Sequence, residues 1–190
     1  MRKILVLLIA LGCMLNGMAQ GISFFKENIT MKLEREYFYV SGKYYYRSES
    51  PAMMPLFFPF PQDPLYGRSD SLIIFDITNN ASITALDEDS LGARFDIEIQ
   101  EDPELLIQVS YRQELLGNKA EYIITTTQLW QQPMEQAYYQ LIVPNYISIT
   151  HFSIVPNDSI VTELERVYTW EKFNFMPREN LVFEFEEVGR

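Results

Sequence analysis

Cysteine and histidine are almost missing from this sequence, which has one of each, Cys13 and His151. Cys13 falls in an N-terminal segment that we expect to be removed, so the remaining chain has no thiolate nucleophile, cysteine-ligated zinc site or disulfide. A lone histidine gives zinc no second imidazole and has no evident catalytic partner. Motifs such as G-x-S-x-G, H-E-x-x-H, the P-loop and the dinucleotide-binding glycine pattern do not occur either. The sequence therefore predicts a non-enzyme with no metal site and no cofactor.

Basic residues are also scarce. The chain carries 15 Lys and Arg against 26 Asp and Glu, a formal net charge of −11. Such a surface repels nucleic acid and anionic membranes, so we predict no nucleic-acid partner. Asp87, Glu88 and Asp89 could begin a calcium loop, but the further spaced acids and central glycine of an EF-hand do not follow, which favours a solvated turn.

The N-terminus is typical of a secretory leader. Two basic residues precede the apolar run 4–11, which is too short to span a membrane, and Gly17 and Ala19 provide the small residues of a cleavage site. We predict a signal peptide over residues 1–19, followed by a single domain over 20–190 that is exported to the periplasm or the extracellular space. The alternative is lipidation at Cys13, which would make the protein an outer-membrane lipoprotein and is the one case in which we expect contact with a membrane.

Alternating apolar and polar residues dominate the rest of the chain. Ile29, Met31 and Leu33 alternate with polar residues, the period-two pattern of a half-buried strand. Ten or so such segments, separated by turn residues at intervals of about 8–12, predict a mostly β protein. We expect an antiparallel β-sandwich, with a β-barrel as the alternative and at most one or two short helices. Residues 133–138 are one candidate helix, residues 159–166 fit a helix or a strand, and Gly117-Asn118 predicts a hairpin turn.

Residues 51–70 differ from the remainder because they contain five prolines and three phenylalanines. Proline at this density does not fit a central strand, so we predict an extended, irregular loop rich in apolar side chains. Phe57, Phe58 and Phe60 should divide between core and surface. The loop then serves either as a plug over one end of the sandwich or as an apolar edge for a ligand or partner.

Several segments resemble a known kind of domain. Residues 44–49 with Pro51 and residues 57–61, the segment Val109-Ser110-Tyr111-Arg112-Gln113, and the spaced set of Tyr122, Thr125, Thr126, Trp130 and Pro133 resemble β-sandwich domains of the vault/inter-alpha-trypsin type. They also resemble exported bacterial families with a similar pattern. The resemblance implies a non-catalytic sandwich and transfers no functional residues.

Aromatic residues are abundant, with 13 Phe, 12 Tyr and 2 Trp. Strands use aromatic residues in the core, but exposed rings can also stack on sugars. The candidate ligand or partner contacts are therefore Phe57, Phe58, Phe60, Trp130 and Trp170, with the tyrosines at 44–46 and 138–139 as further stacking candidates.

These patterns favour an exported, non-catalytic sandwich that acts as an interaction or structural module of the bacterial cell envelope, with another envelope protein as its partner. The alternative is a binder of glycan or of an apolar small molecule, and a hydrolase is a distant third. A deep apolar cavity behind the proline-rich segment would favour the apolar ligand. Exposed aromatics beside acids would favour glycan, and convergent carboxylates near His151 would favour the enzyme.

Overall fold

The computed structural model describes residues 21–62, 66–100 and 104–188, and over these ranges most of the chain is β-strand. It confirms the prediction of a mostly β protein, with one short 3₁₀ helix at Thr125–Trp130. The predicted signal peptide and Cys13 lie outside the described residues. The strands of the described ranges are β1 (Ser23–Leu33), β2 (Tyr37–Arg47), β3 (Ala52–Pro59), β4 (Tyr66–Asp76), β5 (Ala81–Ile83), β6 (Asp87–Asp89), β7 (Gly92–Ile99), β8 (Leu105–Leu115), β9 (Lys119–Tyr122), β10 (Met134–Pro144), β11 (Ile147–Phe152), β12 (Asp158–Val161), β13 (Glu165–Phe175) and β14 (Leu181–Glu187).

The strands form one large sheet and two small ones. The large sheet has the order β12-β13-β10-β1-β2-β8-β4-β5, and the small sheets have the orders β11-β14-β9 and β3-β7-β6. Pairing is antiparallel except between β1 and β10, which run parallel. Among the described residues no sheet closes on itself, so the sandwich forms and the alternative of a barrel does not.

Aromatic side chains from the small sheets pack onto the large one. The ring of Phe183 in β14 lies 6.1 Å from Phe38 in β2 and 5.9 Å from Trp170 in β13. At the other end, Phe58 in β3 lies 5.8 Å from Tyr44 in β2. These contacts join the layers into one continuous core. Aromatic rings that pack tilted or edge-on stabilise the fold by more than the burial of their surface alone.

The proline-rich segment differs from the prediction of an irregular loop, because residues 52–59 form strand β3. β3 lies at the edge of its sheet and pairs only with β7. Pro55 and Pro59 are four residues apart, so both missing N–H groups point to the same side of the strand and the other side can bond to β7. The exclusion of a central strand was correct, but an edge strand accommodates the prolines.

The predicted hairpin turn at Gly117-Asn118 and the predicted helix at 133–138 do not form. In both cases the chain pairs with strands that are distant in sequence. Gly117-Asn118 does not join a hairpin, since β8 belongs to the large sheet whereas β9 pairs with β14. Residues 133–138 do not form a helix but open β10, a central strand whose residues Tyr139, Leu141 and Val143 are buried. Residues 159–166 adopt the strand alternative in part, as β12.

Candidate functional site

A cavity of about 120 Å³ lies between the large sheet and the sheet that contains β3. Its walls come from β1, β2, β3, β7, β8, β9 and the chain through the 3₁₀ helix. Lining residues on β1 and β2 are buried, whereas Phe57 on β3 and Leu129 on the 3₁₀ helix are partly exposed and Pro55 is exposed. The cavity therefore runs from the core toward solvent between β3 and the 3₁₀ helix.

A β-bulge in β1 shapes the floor of the cavity. The pairing of β1 with β2 shifts between Phe24 and Lys26, so Phe25 is the extra residue. Side chains alternate along a strand, and the extra residue returns Phe24 and Glu27 to the same face although they are three positions apart. Both are buried and both line the cavity.

Four aromatic residues form one wall, which we call the aromatic wall: Phe24, Tyr44, Tyr46 and Trp130. The ring of Phe24 lies 6.2 Å from Tyr44, 5.3 Å from Tyr46 and 5.7 Å from Trp130. Tyr46 and Trp130 are 5.8 Å apart. The wall is thus a packed cluster that joins β1 and β2 to the 3₁₀ helix.

The opposite wall is β3. Phe58 packs edge-on against Tyr44 and Tyr111, at 5.8 and 5.7 Å. The backbone of β3 passes close to Gly92, where an added Cβ would lie 2.3 Å from the carbonyl oxygen of Phe58. Gly92 also has φ of +155°, a conformation that favours glycine. A residue without a side chain is therefore required for β3 to approach β7 at this end.

Asn180 fixes the segment that carries the 3₁₀ helix. Its side-chain oxygen accepts hydrogen bonds from the backbone N–H groups of Ile124 and Thr125, at 3.2 and 3.1 Å, and from the Thr125 hydroxyl at 2.8 Å. Its amide nitrogen donates to the Glu121 carboxylate at 2.7 Å. One amide thus holds the start of the helix in the position from which Trp130 reaches the cavity.

Glu27 is the one carboxyl group in the cavity lining, with 3% of its surface exposed. It accepts a hydrogen bond from the hydroxyl of Tyr139, and the described residues provide no other hydrogen-bond partner and no ion-pair partner for it. Burial raises the pKa of Glu27 from its ordinary 4.5 to about 7, and the bond from Tyr139 acts in the opposite direction. Near neutral pH this group is therefore partly protonated.

The tyrosine hydroxyls around Glu27 are not ionised. Tyr44 and Tyr122 share a buried hydrogen bond of 2.8 Å. Burial is the largest cause that raises the pKa of Tyr44, Tyr46, Tyr122 and Tyr139, and the nearby Glu27 raises it further. The cavity is therefore lined by neutral rings and hydroxyls, with a single group that can carry charge.

The predicted contact residues fall in three places. Phe57, Phe58 and Trp130 line the cavity. Phe60 is buried beside it, 5.2 Å from the ring of Tyr111, whereas Phe57 and Phe58 are partly exposed. Trp170 belongs to the core of the other half of the sandwich, where its indole N–H donates to the carbonyl of Ile154 at 2.8 Å.

The residues weighed for chemistry do not meet at the cavity. His151 is exposed on β11, opposite Glu184 of β14. Asp87 and Asp89 lie in the exposed strand β6, where Asp87 accepts a hydrogen bond from Arg94 at 3.0 Å and Asp89 accepts one from the N–H of Leu91 at 2.7 Å. The expected solvated turn is thus a short strand with local partners.

The described residues contain no group of three or more His, Cys, Asp or Glu side chains placed to hold a metal ion. They also contain no helix with the length and apolar character needed to cross a membrane.

Glu27 is the feature that sequence reasoning missed. It occupies the same phase of β1 as Ile29, Met31 and Leu33, all of which are buried. A carboxyl at an apolar position of a period-two pattern was the available signal, because buried acids are rare without a partner.

The fold is that of a β-sandwich known from other proteins, although no protein-family model and no curated protein matches the chain. A putative nutrient binding protein from Legionella pneumophila superposes with a TM-score of 0.69 at 12% identity, over 87% of this chain and 67% of its own. An M1 zinc metallopeptidase from Deinococcus radiodurans superposes with a TM-score of 0.51 at 9% identity, over 86% of this chain.

These likenesses establish the fold alone. This chain spans 42% of the peptidase chain, so it corresponds to a part of that enzyme. Neither relative is a vault or inter-alpha-trypsin domain, and that resemblance stays a prediction.

Proposed function

We propose that this protein is an exported, non-catalytic binding protein that holds an apolar small molecule, or the apolar end of a larger one, in the cavity between β3 and the aromatic wall. The cavity itself carries the proposal. It lies behind the proline-rich segment, its lining is mostly apolar and aromatic, and it opens toward solvent. Sites for small molecules are concave, mostly apolar and supplied with few polar groups.

The size of the cavity limits the ligand. An engineered apolar cavity of about 150 Å³ accepts benzene, and the present cavity has about 120 Å³. It therefore fits one ring or a short branched chain. The stiff backbone that Pro55 and Pro59 give to β3 keeps this space open with little ordering cost on binding.

Calorimetric titration with benzyl alcohol tests the proposal. Val109 is buried in the lining, so Val109→Phe should fill the space and abolish binding, whereas Phe58→Ala should enlarge it and admit a naphthyl alcohol. The control is Phe173→Ala, since Phe173 is 66% exposed and outside the lining. Equal affinities in the parent and both cavity variants, or no binding in any of them, would refute the proposal.

The leader is tested separately. If the protein is exported without a lipid, the intact mass of material secreted by a bacterial host should correspond to a chain that begins at Gln20. A chain that begins at an acylated Cys13 would instead place the protein on a membrane surface.

A second candidate function, docking onto another envelope protein, is favoured by the hairpin of β12 and β13. β12 is an edge strand of the large sheet. Ile160, Val161 and Leu164 are 62%, 59% and 82% exposed. Exposed apolar side chains on an unpaired edge are typical of strand-addition sites. A photo-crosslinker at Leu164 should give a discrete adduct in cells of the native host, whereas one at the exposed Met53 of β3 should not.

A further inference from the structure

We propose that the ligand of the cavity is an organic cation, an ammonium group carried on a small apolar body, with the charged nitrogen beside Glu27. This inference rests on the proposed function and names the chemistry of its ligand. It follows from the partners of Glu27, from the rings around it and from the size of the space.

Among the described residues, Glu27 has no cationic partner. Its side chain is almost fully buried, and Tyr139 is its one hydrogen-bond partner among the described residues. Lys26 is adjacent in sequence but points to the other face of β1, where it lies 5.0 Å from the ring of Tyr45. Arg47 forms an ion pair with Glu135 and stacks on Phe25 at 4.6 Å. Buried charges in proteins are paired, so a cation supplied by the ligand would complete this site.

The aromatic wall suits a cation. Phe24 shares the face of Glu27 on β1, and Tyr44 is directly opposite Glu27 in the register of β1 and β2. The faces of aromatic rings carry negative charge density, which attracts ammonium groups. Neutral tyrosine hydroxyls can accept hydrogen bonds from the N–H groups. An anionic ligand would be repelled by the Glu27 carboxylate, by the negative ring faces and by a chain whose net charge is −11.

Occupation by a cation should also change the protonation of Glu27. The titratable groups that face it are the hydroxyls of Tyr44 and Tyr46 on β2, Tyr122 on β9 and Tyr139 on β10, all held neutral. Without ligand, the pKa of Glu27 is about 7, and a neighbouring ammonium lowers it. Binding at pH 6 should therefore release most of one proton, and affinity should rise with pH up to about 7.

Calorimetric titration with benzylammonium, benzyl alcohol and benzoate tests the inference, because the three compounds share one ring and differ in charge. The expected result at pH 8 is that benzylammonium binds at least about tenfold more tightly than benzyl alcohol and that benzoate does not bind. At pH 6, the heats in buffers of different ionisation enthalpy should show proton release.

Glu27→Gln should remove the preference for benzylammonium and keep the binding of benzyl alcohol. The matched control is Glu88→Gln, on the exposed strand β6. If Glu27→Gln does not fold, Trp130→Leu gives a second variant. It retains an apolar contact but removes the ring face, so it should weaken benzylammonium more than benzyl alcohol.

The outcomes separate the two proposals. If benzyl alcohol binds as tightly as benzylammonium, or if Glu27→Gln keeps the preference for benzylammonium, the proposal of a cationic ligand is wrong. The cavity then remains a site for apolar ligands. Binding without proton release at pH 6 overturns it as well. Failure of all three compounds to bind overturns both the cation and the proposed function.

Discussion

Replacing Glu27 by Gln should change how the stability of the protein depends on pH. Burial raises the pKa of Glu27 from 4.5 in the unfolded chain to about 7 in the folded protein. Below pH 4.5 the carboxyl is protonated in both states, so it imposes no cost. As pH rises from 4.5 to 7 the unfolded state gains by ionisation while the folded state does not, and stability is lost. Each pH unit is worth about 1.4 kcal/mol, so the loss is complete above pH 7 at about 3 kcal/mol.

Gln has the shape of Glu but does not ionise, and its carbonyl oxygen can still accept the hydrogen bond from Tyr139. The variant should therefore match the parent at pH 4.5 and exceed its stability by up to about 3 kcal/mol at pH 8. For a domain of this size that difference corresponds to roughly 6–12 °C in melting temperature.

Urea unfolding of parent and Glu27→Gln at pH 4.5, 6 and 8 measures this difference, and other carboxylates cancel because both proteins share them. Glu88→Gln, on the exposed strand β6, is the control and should follow the parent. A difference between parent and Glu27→Gln that is the same at all three pH values would refute the reasoning.

Four further substitutions should act through packing and hydrogen bonding. Tyr139→Phe removes the one hydrogen-bond donor to Glu27 within the described ranges, so thermal melts should show a loss of about 1–3 kcal/mol at pH 8 and a smaller loss at pH 4.5. Phe60→Ala should cost about 3–5 kcal/mol in urea unfolding because Phe60 is 2% exposed, and the partly exposed Phe57→Ala should cost clearly less. Gly92→Ala, which forces a Cβ against β3, should lower the melting temperature, and an unchanged value would show that β3 moves freely.

The parts of the fold that the sequence predicted are those set by local alternation. β1 was identified because Ile29, Met31 and Leu33 alternate with polar residues, and these three side chains are buried. Which strand pairs with which depends instead on distant residues. The parallel pairing of β1 with β10 joins segments more than a hundred residues apart, and neither segment's own sequence indicates it. Gly117-Asn118 follows the end of β8, but the predicted hairpin does not form because the next strand enters the other layer.

The sequence predicted some residues of the candidate site but not how they come together. Phe57, Phe58 and Trp130 were singled out by residue type and by the unusual composition of residues 51–70. Their meeting at one cavity depends on the fold placing β3 and the 3₁₀ helix, which are distant in sequence, around the same space. Phe24 joins Glu27 at the cavity through a bulge at Phe25, and a shift of one residue in the register is not visible in the sequence.

The cost of Glu27 is itself an argument for a role in binding. At pH 7 the buried carboxyl lowers stability by about 3 kcal/mol, a large part of the 5–15 kcal/mol that typically separates folded from unfolded domains. A Gln at this position would keep the shape and the hydrogen bond from Tyr139 without that cost, so packing alone does not account for the acid. Stability given up at a single buried position is typical of functional sites. A ligand cation would recover it, and benzylammonium should therefore raise the melting temperature of the parent at pH 8 more than that of Glu27→Gln.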